Sequence, residues 1–186
     1  IFTYTLPHAE LWQPNDSILQ KYIQAFECDD SGFGGAFGSW YYKNSNRHAQ
    51  FAAMITRLDA QVGEIFAKLE EKGLADNTLV IFTSDNGPHE EGGADPDWFN
   101  RDGLLRGTKR STHEGGIRVP FIVKGPGVPA GTVNDHQLAF YDLMPTLLDY
   151  AGLNGDAYSR KASTATQYWD GISFNNTLRG NDAEQE

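Results

Sequence analysis

From about Ser45 to Lys72 the apolar residues Phe51, Met54, Ile55, Leu58, Val62, Ile65, Phe66 and Leu69 recur at the spacing of one helix face. Asn44 or Ser45 can cap the start of this helix, and Gly73 suits the left-handed position past its end. After a short "LADN" turn comes Thr78–Thr83, a continuous apolar run of the kind a parallel sheet buries on both faces. A second such run, "VPFIVK" (119–124), follows a polar loop. Residues 142–151 read as a short helix, with Asp142 as cap, Pro145 tolerated in the first turn and Gly152 at the stop. Alternation of strand and helix implies an α/β sheet covered by helices. "IFTYT" at the start reads as one more strand. Residues 8–43, punctuated by Pro14 and "SGFGGAFGSW" (31–40), read as irregular.

In sheets of this kind ligands gather at the carboxyl ends of the strands. Asp85 and Asn86 come immediately past that end of the 78–83 strand, and His8 comes just past "IFTYT". Asn-Gly is also a common way to reverse a chain, so a turn and a ligand site are both readings of "SDNGPH". Residues 101–124 then hold six of the fifteen Lys and Arg residues, namely Arg101, Arg106, Lys109, Arg110, Arg118 and Lys124. Only Asp102 and Glu114 oppose them, and glycines 103, 107, 115 and 116 allow close backbone approach. Hard-cation ligands, a glycine-spaced basic loop and a histidine after a strand suit a tetrahedral oxyanion, sulfate or phosphate. A solvated rim of scattered ion pairs fits the same spacing, and both readings stand at this point.

Composition removes other classes. A net charge of −10 in 186 residues argues against a nucleic-acid partner, which needs a phosphate-neutralising surface. No apolar run approaches a membrane span. The single cysteine, Cys28, rules out an internal disulfide and a cysteine zinc cage, and "ECDDSG" offers it no partner base at a recognisable spacing. "ADPDWFNRDG" has the acidity of a calcium loop, but counting from Asp95 puts Phe99 at position 5 and Asn100 at 6, where an EF-hand needs an oxygen ligand and a glycine.

Four segments carry a resemblance to a known family. "TLPHAELWQPNDSILQKY", "MITRLDAQVGEIFAKLEEKGLADNTLVIFTSDNGPHEEGGADPDWFN", "LLRGTKRSTHEGGIRVPFIVKGPG" and "YDLMPTLLDYAGL" resemble, in order, the middle and later parts of the type I sulfatases, the arylsulfatase family. The pair "FTSDNG" and "RGTKRSTHEGGIRVP" is its most specific element. The resemblance implies an alkaline-phosphatase-like α/β fold with a mostly parallel sheet covered by helices. Residues 1–186 are then expected to form a single, incomplete piece of the catalytic domain. It implies sulfate ester hydrolysis with a calcium ion and a formylglycine, made from Cys or Ser, whose hydrate attacks sulfur. By motif, Asp85 and Asn86 would be calcium ligands, Lys109 would contact the sulfate, and His8 would protonate the leaving group. His89 and Arg106 would lie close by, as substrate-binding residues.

The departures matter equally. The family's Cys/Ser-x-Pro-x-Arg segment and its earlier Asp-Asp pair are not in this chain, and Cys28 is followed by "DDSGF". The chain is therefore expected to be an internal piece of a longer sulfatase, inactive alone. Its parent would be periplasmic or secreted and would act on a sulfated small molecule or carbohydrate. Two other readings are a phosphoryl hydrolase of the same superfamily and a non-catalytic module that binds sulfated glycans through residues 101–124.

Overall fold

The computed structural model describes residues 1–26, 45–93, 95–100, 103–153 and 170–181. In chain order the elements are α1 (Ser17–Ala25), α2 (Arg47–Glu71), β1 (Val80–Thr83), α3 (Glu114–Ile117), β2 (Phe121–Lys124), α4 (Leu143–Tyr150) and α5 (Asn175–Leu178). Strands β1 and β2 pair as a two-stranded sheet. The chain divides into two compact units, Ile1–Ala75 with Phe82–Ile122, and Asp76–Ile81 with Val123–Glu186.

In the first unit α2 buries Phe51 and Met54 of its apolar face, while Ile55 is exposed and Leu58, Val62, Ile65, Phe66 and Leu69 are partly covered. Leu11, Phe51 and Met54 form one buried cluster with Leu6 and Phe99 against it. Leu19, Ala49 and Ala53 form a second, covered by Ile18, Tyr22, Ile23 and Phe26 from α1 and its end. The start of α2 differs from expectation. Asn46 is its N-cap, in the left-handed region at φ 57°, and makes no side-chain capping bond. Asn tolerates that conformation better than most residues. The end of α2 is as the sequence predicts. Gly73 sits at φ +65°. Its N–H donates to Glu70 O and that of Leu74 to Leu69 O, which satisfies two of the last carbonyls.

Helix α1 corrects the reading of residues 8–43 as irregular. Asp16 caps it by accepting from the N–H groups of Ile18 and Leu19, and Asp16 Oδ2 also receives Arg57 from α2 at 2.6 Å. The signal was legible: an Asp cap after Pro14, then Ile18, Leu19, Tyr22 and Ile23 on one face. Residues 27–44, including Cys28 and "SGFGGAFGSW", lie outside the described residues, as do Arg101 and Asp102.

The strands also differ from expectation. "IFTYT" forms no strand, and its five residues are exposed. Every residue of β1 is partly exposed, and β2 alternates, with Ile122 open to solvent. Burial on both faces requires further covering layers, and among the described residues the sheet has two strands.

The second unit is built around α4. Thr146, buried, donates to Asp142 O at 2.6 Å and accepts from the N–H of Phe174, whose ring is also buried. Asp142 stands at the N-cap position of α4 as expected, but its side chain serves the loops and makes no capping bond to the helix. Its Oδ2 accepts from Ala139 N and its Oδ1 from Ile172 N. Gly152, at φ +73°, ends α4 as expected.

Candidate active site

The site lies in the first unit and is held by two loops. The first runs from the end of β1 through Asp85, Asn86, Gly87, Pro88 and His89 to Gly93. The second, residues 106–116, leads into α3. They are fastened backbone to backbone: Gly87 N donates to Gly116 O at 2.9 Å, and Lys109 N to Pro88 O at 2.8 Å. The glycines of "RGTKRSTHEGG" have a steric reason. A Cβ on Gly87 would lie 1.9 Å from Gly115 O, one on Gly115 would lie 2.0 Å from Gly107 O, and one on Gly116 would lie 2.2 Å from Ser111 O. Only glycine permits the two loops to touch in this way.

Within the second loop, Thr108 to Ser111 is a tight turn closed by Ser111 N–H to Thr108 O at 2.9 Å. It presents Lys109 at its corner. Lys109 Nζ comes to 3.0 Å from His8 Nε2, across 101 residues of sequence. His8 Nδ1–H donates to Ala9 O at 2.7 Å, which leaves Nε2 as the acceptor for the ammonium. His89 is turned inward and buried. Its ring stacks on that of His8, with centroids 5.8 Å apart and planes 22° from parallel. Its Nε2–H donates to Pro7 O at 2.9 Å.

Beneath these groups lies a residue the sequence reading did not select. Glu91 is 2% exposed. It receives Arg110 through Oε1, has Lys109 Nζ 3.8 Å from the same oxygen, and has His89 Nδ1 3.0 Å from Oε2. Burial pushes its carboxyl up, but the Arg110 guanidinium, its own backbone N–H, Lys109 and His89 outweigh that and hold it below the ordinary value. The sequence signal was faint: a carboxylate in "HEEGGA" whose glycines both take positive φ. A Cβ on Gly93 would meet Arg47 Nη1 at 2.4 Å.

Asp85 is exposed and Asn86 half-buried at the end of β1. Asn86 Nδ2 donates to Gly87 O at 2.8 Å, so its oxygen faces elsewhere. These are hard oxygen donors of the type calcium takes. Among the described residues no group of three or more His, Cys, Asp and Glu side chains could hold a metal ion. Arg106 is exposed, and its carbonyl accepts from Gly115 N at 2.9 Å. The structure thus joins His8, His89 and Lys109 directly, and attaches the Asp85–Asn86 loop to them through Pro88.

An ammonium and an imidazole in contact is an arrangement that can receive an anionic oxygen ester. Residues 6–153 match the family described as Sulfatase. The chain belongs to the sulfatase family. It is 37% identical over 119 residues to the steryl-sulfatase of Rattus norvegicus, which covers 62% of this chain and 21% of that protein. It is 44% identical over 79 residues to the N-acetylgalactosamine-6-O-sulfatase of Bacteroides thetaiotaomicron, over 39% of this chain and 16% of that protein. Among solved structures it resembles Ps i-CgsB in complex with k-i-k-neocarrahexaose. The TM-score is 0.65 at 26% identity, over 95% of this chain and 32% of that one. The fold is therefore part of the α/β sulfatase fold, and the chain spans about a fifth of the length of the curated relatives it matches.

Proposed function

We propose that the protein containing this chain hydrolyses sulfate esters, with His8 as the acid that protonates the leaving alcohol and Lys109 as the cation that receives the sulfate. The observation that carries this reading is the 3.0 Å contact between Lys109 Nζ and His8 Nε2. A leaving alkoxide needs a proton donor within reach, and the developing charge on sulfate needs a fixed cation. The Nδ1–H bond to Ala9 O orients His8 so that Nε2 is the atom presented to the ester oxygen; to act as the acid His8 takes a second proton on Nε2 as imidazolium, and the Lys109 ammonium then leaves Nε2 for the sulfate. Lys109 is aimed by its turn and by its backbone bond to Pro88 O. His89 positions the His8 ring, and Arg106 serves at the open rim. The formylglycine of a segment outside this chain would supply the attack on sulfur. Asp85 and Asn86 would hold part of a calcium shell, which would offset the charge of the sulfate.

The substrate class follows from the relatives. Two of them bear names or ligands of carbohydrates, an N-acetylgalactosamine-6-O-sulfatase and a complex with neocarrahexaose, so a sulfated carbohydrate is the proposed substrate. A periplasmic or secreted parent goes with such a substrate. Among the described residues no helix is long and apolar enough to cross a membrane. The reading predicts that His8→Ala, in the full-length parent, depresses hydrolysis of a sugar sulfate far more than that of an activated aryl sulfate that leaves without protonation. Equal losses on both substrates in a folded protein would remove His8 from the acid role.

A further inference from the structure

Arg110 occupies a backbone position that argues against its own side chain. At φ +76° it stands in the left-handed region, at the third place of the 108–111 turn, where glycine is usual. An arginine there costs on the order of 1 kcal/mol or more of backbone strain. Its side chain answers that cost by reaching the buried Glu91. On the other side of the same carboxylate stands His89, which carries the Pro7 carbonyl on one nitrogen and stacks on His8. With Nε2–H already donated to Pro7 O, a proton on Nδ1 makes the 3.0 Å approach to Glu91 Oε2 attractive.

We propose that Glu91 is a positioning residue that fixes the separation of His8 and Lys109, acting through His89 on one arm and through Arg110 and the 108–111 turn on the other. The assignment rests on the sulfatase reading for its catalytic consequence, though not for the geometry. Each arm reaches across the sequence, the first through the neighbouring His89. Glu91 is 19 residues from Arg110, and His89 is 82 from Pro7. Among the described residues His89, Lys109 and Arg110 face this carboxylate. Glu90 is occupied separately, accepting from Thr108 Oγ1 at 3.3 Å.

Glu91→Gln and Glu91→Asp in the full-length parent separate positioning by charge from simple filling of space. Gln keeps the volume and loses the charge, and Asp keeps the charge and leaves a gap. The expected result is that Gln loses on the order of 100-fold in kcat/KM on a sugar sulfate, the cost of misplacing a reacting group by about 1 Å. On an activated aryl sulfate the loss is smaller, because protonation by His8 is not needed there. Asp retains more activity than Gln. A pure packing role gives the reverse order, Gln near wild type and Asp impaired, and that order would overturn the assignment. Imidazole 15N signals supply a readout independent of turnover. In Glu91→Gln the His8 and His89 signals, identified with His8→Gln, shift from their wild-type positions. Unshifted His8 signals would also overturn the assignment. A parent that hydrolyses no sulfate ester would sink the sulfatase reading alone, and the imidazole signals would still decide the role of Glu91.

Discussion

Gly87→Ala tests whether the two site loops must touch. The substitution adds one methyl group to a residue that follows Asp85 and Asn86 and precedes the Pro88 carbonyl that holds Lys109. Its Cβ would stand 1.9 Å from Gly115 O, 2.9 Å from Gly115 C and 3.1 Å from Gly116 Cα, all backbone atoms. Real Cβ contacts essentially never fall below 3.0 Å, so the loops must separate by about 1.1 Å at the nearest atom. No side chain can swing away to absorb this. Overpacking of this kind costs about 1–3 kcal/mol, and a separation of that size at Lys109 is worth roughly 100-fold in rate. The Gly87 N–H to Gly116 O bond is strained by the same movement. Thermal unfolding and sulfate ester turnover of the full-length variant measure both effects. Gly63→Ala is the control. Gly63 lies exposed within α2, and a Cβ there meets nothing within 4 Å. It should gain about 0.5–1 kcal/mol from helix propensity with turnover unchanged. A Gly87→Ala protein that melts and turns over like the wild type would refute the account of why these loops are rich in glycine.

Lys109→Ala in the parent is expected to cut turnover of sugar and aryl sulfates alike, on the order of 100-fold, because its charge acts on sulfate whatever the leaving group; steady-state rates on both substrates check it, and a loss confined to one would contradict that role. Asp85 and Asn86 supply two or three oxygens against the six to eight that calcium prefers. Titration calorimetry should therefore find weak or no calcium binding by residues 1–186 and firm binding by the parent, with Asp85→Ala lowering the latter. Glu91 and Asp16 both have carboxyls held below their ordinary values, Asp16 by the Arg57 guanidinium first and the Leu19 N–H next. A lowered folded value means that their stabilisation is complete above the ordinary carboxyl range of about 4 and is lost as pH falls through the folded values. Stability measured by denaturant between pH 7 and pH 3 should fall on the acid side, and Glu91→Gln should flatten part of that fall.

The legible parts of this molecule were those with a short period or a local rule. The α2 face, the Gly73 and Gly152 stops and the Asp-Asn-Gly after β1 all depend on residues within a turn or two of one another. His8 and Lys109 became legible through a family's motifs, since nothing near either residue announces a partner 101 positions away. Glu91 stayed hidden for the opposite reason. A lone carboxylate among polar residues reads as solvated, and its burial is created by Arg110, Lys109 and His89, which come from two loops. Helix α1 lies between Pro14 and the glycine-rich stretch, both of which signal loop. Solid apolar runs imply covering layers, and the described residues contain two strands of the α/β fold of which this chain is a part.

The separation of His8 and Lys109 along the chain also sets an order in time. Contacts across 101 and 82 residues carry large loop-closure costs and form after the local helices. On a ribosome adding about 5–20 residues per second, His8 is made roughly 5–20 s before Lys109. Helix α2 ends at Glu71, ahead of Lys109, so in the last part of that interval α1 and α2 can pair while the imidazole has no ammonium to meet. The nascent protein therefore carries a helical scaffold before it carries the contact between His8 and Lys109.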